Sequence, residues 1–273
     1  MGRGKPIVFL SDYGLEDEFV GICHAVIARV SPESTVIDLS HAVPPQDVLR
    51  GALLLGKSIR YLPADAVVMA VVDPGVGTPR RPVAVETTEG GQLLVGPDNG
   101  LLSLAWAERR GVARAVEISQ PDVMLEPVSA TFHGRDIFAP AAAHLAAGKE
   151  LGALGPDVDP ASLVLVEAPV PGVEPGRIDA EALGVDRFGN VQLSAGLDHL
   201  EQAGLAGANR LEVVTRSGTT PVRPVSTFAD VTEGEVGLIV DSGEKLALVL
   251  NRGSAAEALG LTPGDSLAIQ AAQ

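Results

Sequence analysis

Residues 66–72 read Ala66-Val67-Val68-Met69-Ala70-Val71-Val72, and they run straight into Asp73-Pro74-Gly75-Val76-Gly77-Thr78-Pro79-Arg80-Arg81. Seven apolar residues in a row predict a strand buried on both faces, as in the middle of a parallel sheet. The sequence around it keeps that pattern. Residues 5–10 and 35–39 predict strands. Residues 16–30 place Phe19, Ile22, Cys23, Val26, Ile27 and Val30 at helical spacing, and 47–61 do the same with Val48, Leu49, Ala52, Leu53, Leu55 and Ile59. Strands follow at 83–86, 93–95 and 113–118. A turn at Pro97-Asp98-Asn99-Gly100 leads into a helix ending near Arg110, and 135–148 predicts a helix that Pro140 delays or kinks. This alternation defines an α/β region with a mostly parallel sheet covered on both faces.

The pattern changes after Gly155. Five prolines between 156 and 176 mark a linker, and helical spacing mostly disappears beyond it. Residues 177–185, 210–215, 236–240, 245–250 and 266–269 predict strands, with short helices at 199–203 and 255–259. Short strands with Gly-rich turns predict a small antiparallel barrel or sandwich. The expected division is 1–160 for the α/β domain, 161–176 for the linker and 177–273 for the β domain.

The 273 residues are 46% hydrophobic and 20% charged, enough for packed cores and incompatible with global disorder. A net charge of -15 repels phosphate backbones, and 3% aromatics offers no stacking platform, so a nucleic-acid partner is not expected. Cys23 is the lone cysteine, which rules out an internal disulfide; its setting predicts a core thiol. No signal-like segment precedes the first strand, and no apolar run approaches membrane-span length. The expectation is a cytoplasmic protein with no membrane partner.

Polar clusters collect at the predicted strand ends, where open α/β sheets bind ligands. The first is Ser11-Asp12-Tyr13-Gly14-Leu15-Glu16-Asp17. A carboxylate there can accept two hydrogen bonds from a vicinal diol, or it can cap the following helix. The second is the Asp73–Arg81 turn, whose Gly-x-Gly lacks the third glycine of a dinucleotide fingerprint. Asp73 and Arg80 can pair across it, either as a surface salt bridge or as a buried functional pair. The third holds His133, in a loop beside Phe132. His24 and His144 fall in helical patterns, His41 follows a strand, and His199 is expected to be exposed. In the second half, residues 186–190 predict a hairpin turn with Asn190 near positive φ. Residues 241–244 and 251–256 are loops whose small residues let backbone approach a ligand.

Six strings, SDYGLEDEFVG, DPGVGTPRR, GPDNGL, FHGRD, DRFGN and NRGSAA, occur in order from residue 11 to 256. In these the chain resembles the S-adenosyl-L-methionine (SAM) hydroxide adenosyltransferases, hydrolases related to fluorinase and chlorinase. The resemblance implies a Rossmann-like N-terminal domain, a C-terminal β-barrel, and a homotrimer. It also implies a site shared between the N-terminal domain of one subunit and the C-terminal domain of the next. Asp12 matches the acid that holds the ribose hydroxyls. Asp73, Arg80 and His133 match a water-handling triad that the halogenases lack. Phe188 and Asn190 match the motif at the adenine; Ser242, Asp17 and Asp186 match positions near the methionine end. NRGSAA, with Ser254 and Ala256, matches the loop that approaches adenine through its backbone. Gln46 stands where halogenases carry an aromatic over the sugar.

The implied reaction is SAM plus water giving adenosine and L-methionine, by in-line attack on the ribose C5′. The sulfonium leaves as a neutral thioether without an acid, so the demand falls on the weak nucleophile. Either Asp73 or His133 can serve as base. No cofactor and no metal are expected, SAM being the substrate. Two other readings stay open: a halide-using relative, and a sensor that binds SAM or adenosine without turnover.

Overall fold

Two compact units, Met1–Glu167 and Ala168–Gln273, divide the chain; the computed structural model describes residues 4–241 and 243–272. In the first unit a seven-stranded sheet contains β1 (Ile7–Ser11), β2 (Val36–Ser40), β3 (Val67–Val71), β4 (Pro82–Thr87), β5 (Leu93–Pro97), β6 (Val112–Glu117) and β7 (Asp157–Val158). Their order is β2-β1-β3-β5-β4-β6-β7. The first four in that order pair in parallel; β4, β6 and β7 add antiparallel neighbours.

The helices are α1 (Phe19–Val30), α2 (Val48–Ser58), α3 (Ser103–Ala107) and α4 (Ala139–Ala146). Strand periodicity sorts the two cores. Ile7, Phe9, Val67, Met69 and Val71 face the layer containing Cys23, Ile27 and the alanines of α4. Val8, Leu10, Val68, Ala70 and Val72 face the layer of Leu55, Ile59, Leu101 and Trp106. Side chains alternate across a strand, so the unbroken apolar run feeds both layers. Pro140 sits in the first turn of α4, where its missing N–H costs nothing, and a π-helical turn, Gly134–Phe138, precedes it.

Part of the proline-rich stretch is tied to the first unit. Asp157–Val158 pairs with β6, and the Val164 and Val166 N–H groups donate to Asp98 and Ser103. The division between units falls inside it, after Glu167.

The second unit contains β8 (Gly172–Glu174), β9 (Arg177–Val185), β10 (Val191–Gly196), β11 (Leu211–Thr215), β12 (Gly218–Pro224), β13 (Val236–Val240), β14 (Lys245–Leu250) and β15 (Ser266–Ala271), with α5 (Leu197–Gln202) and α6 (Ala255–Leu259). Seven strands, β9 to β15, close into a barrel through the β9–β10 pairing, and β8 continues one edge of β9. One neighbour pair, β12–β13, is parallel, which departs from a purely antiparallel barrel.

Candidate active site

Strands β1 and β3 are parallel neighbours in register, Ser11 opposite Val71, so the polar turns that follow them emerge side by side. There they border a cleft of about 280 Å³ lined by Asp12, Tyr13, Phe19, Gln46, Asp73 and His133, among others. Asp12 accepts the Gln46 N–H at 2.8 Å, and Gln46 is a non-glycine residue held at φ 66° to give it. Burial pushes the Asp12 carboxyl above its ordinary range, and the Asp73 charge adds to the rise. Neither Asp12 nor Asp17 caps α1, whose N-cap residue is Glu18 with no side-chain bond. Asp17 is exposed and lies outside the cleft lining.

Asp73 and Arg80 form a buried fork, their side chains 6% and 10% exposed. Arg80 Nε donates to Asp73 Oδ1 at 2.9 Å and to Oδ2 at 3.1 Å, and Arg80 Nη2 donates to Oδ2. The same Nη2 lies 2.8 Å from His133 Nδ1. A guanidinium has no acceptor, so His133 Nδ1 accepts and its ring proton resides on Nε2. Burial, and then the Arg80 charge, hold the His133 pKa below its ordinary value, which keeps the ring neutral at pH 7. Arg80 Nη1 is buried without a partner among the described residues. The guanidinium stacks over Phe138 at 5.2 Å.

Backbone contacts bring the two loops together. A Cβ at Gly77 would run into the Ala130 carbonyl oxygen, and Gly77 adopts φ 76°. A Cβ at Gly134 would run into the Tyr13 hydroxyl. Asp136 ties the His133 loop: its carboxylate accepts the Ser129 N–H at 2.8 Å and two Arg135 donors at 2.6 and 2.8 Å. Tyr13, Phe19 and Phe132 form an aromatic wall, with centroids 5.1 to 5.9 Å apart. Tyr13, Phe19, Pro45, Val76, Thr131 and Gly134 join the lining without having been singled out as site residues; Tyr13, Phe19, Val76 and Gly134 fall inside the quoted motif strings, which was the visible signal, and Pro45 and Thr131 had none.

The second unit makes its own cluster. Asp186 closes the β9–β10 hairpin, accepting from the Phe188 and Asn190 N–H groups at 2.8 and 3.0 Å and from Asn190 Nδ2 at 2.8 Å. Positive φ belongs to Gly189 (82°), not to Asn190. This corrects the turn expectation, and glycine is the residue that adopts it without a Cβ clash. Phe188 is 73% exposed and Asn190 is buried. Gly189 packs against Ser254, and its carbonyl accepts the Ala256 N–H at 3.0 Å. Ser254 Oγ caps α6 by accepting the Glu257 N–H at 3.1 Å. The Ala256 N–H and the Ser254 cap are therefore engaged within the fold, while both residues border the hairpin that presents Phe188. Ser242 lies outside the described residues. His199, expected exposed, has a side chain only 19% exposed and accepts the Gly196 N–H. Cys23 is a buried free thiol whose pKa burial pushes up to about 12.

Comparison with known proteins agrees with the motifs. Family models for the SAM hydroxide adenosyltransferase N-terminal and C-terminal domains match residues 7–155 and 180–268. An (R)-S-adenosyl-L-methionine hydrolase from Salinispora tropica is 50% identical over 97% of both chains. A fluorinase from Actinopolyspora mzabensis is 31% identical, again over 97% of both. An uncharacterized conserved protein from Thermotoga maritima superposes with a TM-score of 0.90 at 34% identity, covering 97% of this chain and 99% of that one. With both domain models matched in order and half the residues shared with a full-length relative, this chain belongs to the SAM hydroxide adenosyltransferase family.

Proposed function

We propose that this protein hydrolyses SAM to adenosine and L-methionine, with water attacking the ribose C5′ in line with the departing sulfur. The observation that carries the reading is the Asp73–Arg80–His133 chain beside Asp12 on one cleft. A neutral thioether leaves, so no acid is needed at sulfur. Water must be aligned and relieved of a proton, and the hydrogen-bond chain divides that work. His133 Nδ1 already accepts from Arg80, and its proton is on Nε2. Neutral His133 is thus a donor that orients a water lone pair, and the proton acceptor is Asp73. The buried Arg80 Nη1, which has no protein acceptor among the described residues, stabilises the hydroxide character that develops.

Asp12 holds the ribose diol; Phe188 and Asn190 take the adenine, Asp17, Asp186 and Ser242 the methionine end, and Ser254 and Ala256 border the base. We assign the first-unit residues, Asp12 and Asp17, and the second-unit residues to different subunits of a homotrimer, in the cytoplasm, with no cofactor. The names of hydrolase relatives at 48 and 50% identity carry an (R) descriptor. The sulfonium is a stereocentre, and we assign the (R) form as the preferred substrate here. Hydrolysis is favoured over halogenation because hydrolase relatives reach 50% identity against 31% for fluorinases.

The test is oxygen labelling. In heavy-oxygen water the label should enter the adenosine 5′-hydroxyl and not methionine. Unlabelled adenosine, or 5′-chloro-adenosine as the main product in chloride, would reject the proposal, and binding without methionine release would identify a sensor.

A further inference from the structure

We propose that His24, Asp38 and His41 form a binding site for one divalent transition-metal ion of the zinc class, apart from the cleft and independent of the hydrolysis reading. His24 lies in the first half of α1, Asp38 in the middle of the edge strand β2, and His41 just past its end. One imidazole nitrogen from each histidine and a carboxylate oxygen all fall within 4.8 Å of one another. His24 Nε2 is 2.8 Å from Asp38 Oδ1, and His41 Nε2 is 3.0 Å from the same oxygen.

The His41 contact is short but misdirected. Its Nε2 has no hydrogen-bond partner among the described residues and is fully shielded from solvent, on a side chain only 2% exposed. A buried ring nitrogen without a partner is rare in folded proteins. A nitrogen near an oxygen yet aimed off it is the relation two ligands of one ion adopt. The other ring nitrogen, His41 Nδ1, is 2.7 Å from Ser11 Oγ. Donation to that hydroxyl leaves Nε2 with a bare lone pair, the usual outer-shell arrangement of a metal-binding histidine.

The donor set selects the ion. Two imidazoles and one carboxylate suit zinc, cobalt or nickel; calcium and magnesium favour all-oxygen shells. Three protein ligands leave one position for water. Ligands ~2.0–2.2 Å from zinc stand about 3.3 Å apart, so the present contacts must open by a few tenths of an ångström. His24 and Asp38, with side chains 35% and 42% exposed, have room to move. Through Ser11 the ion would brace the segment that continues into Asp12.

The experiment titrates zinc into chelator-stripped, dialysed protein by calorimetry, alongside a His24→Gln/Asp38→Asn double variant. Both residues are partly exposed, so the variant should fold, which circular dichroism verifies. Wild type should take up one zinc per chain and melt at a higher temperature when loaded. The variant should bind ~10–100-fold more weakly or not at all. Cobalt should give the visible absorption of a four-coordinate ion in wild type only. His133, His144 and His199 remain in the variant, so equal zinc uptake by the two proteins would place the metal elsewhere and overturn the proposal. Absence of uptake by wild type would overturn it as well.

Discussion

Replacing Asp73 by asparagine should disable the chemistry and loosen the fold at once, and the geometry separates the two costs. Both carboxylate oxygens accept from Arg80. Asparagine has one oxygen and one NH₂, so either orientation turns a donor toward a donor. Arg80 is nine-tenths buried and would lose its counter-charge. Breaking a buried pair from one side costs ~3–5 kcal/mol, which urea unfolding would read as a lower midpoint. Loss of the water's proton acceptor should lower kcat by roughly 10²–10⁴-fold, equivalent to ~3–5 kcal/mol of barrier. KM should change far less, since the proposed grip on the substrate belongs to Asp12 and the second unit. The assay is chromatographic release of adenosine and methionine at saturating SAM, on folded protein. Asp98→Asn provides the control: Asp98 is buried and accepts from Arg81 Nε at 2.9 Å, yet it is outside the cleft lining. It should lose stability and retain turnover. A folded Asp73→Asn enzyme with near-normal kcat would refute the assignment of Asp73 as acceptor.

His133 titrates below its ordinary value of 6.5, so kcat/KM should hold as pH falls through 6.5 and decline only lower; an acid limb at or above 6.5 would contradict the Arg80–His133 bond. His133 and His144 both have lowered pKa values, so unfolded chains take up protons first as pH drops through 6.5, and urea midpoints should fall in that window. Gly134→Ala should cost ~1–3 kcal/mol by overpacking against Tyr13, and adding Tyr13→Phe should restore part of it. Asp12→Ala and Asn190→Ala chains should each be inactive and should regain partial activity when mixed and reassembled. No recovery despite verified subunit exchange would confine the site to one chain.

Periodicity made the central strands and barrel strands such as β9, β13 and β14 legible. It failed at β12, where Pro221 and Pro224 argue against a strand although the backbone pairs on both sides. It overextended α1, because residues 15–18 carry acids that suit a first turn but bend instead of coiling. The strand-end positions of Asp12 and Asp73 were readable from topology rules. The Arg80–His133 contact spans 53 residues and depends on two loops meeting, which no local pattern encodes. The aromatic wall shares that origin. His41 was placed correctly after a strand, but its burial comes from packing on Phe9, ring centroids 4.6 Å apart.

The close approach of Gly77 to the Ala130 carbonyl bears on how such an enzyme can be re-engineered. The proposed water-handling groups sit on both strings: Asp73 and Arg80 bracket Gly77, and His133 is three residues beyond Ala130. The two segments touch backbone to backbone, without a side chain to trim, so any residue other than glycine at 77 moves the partner segment with it. Grafting one string from a halide-using relative would therefore leave a mismatched seam. A change of nucleophile has to transplant residues 73–80 and 129–136 as one block.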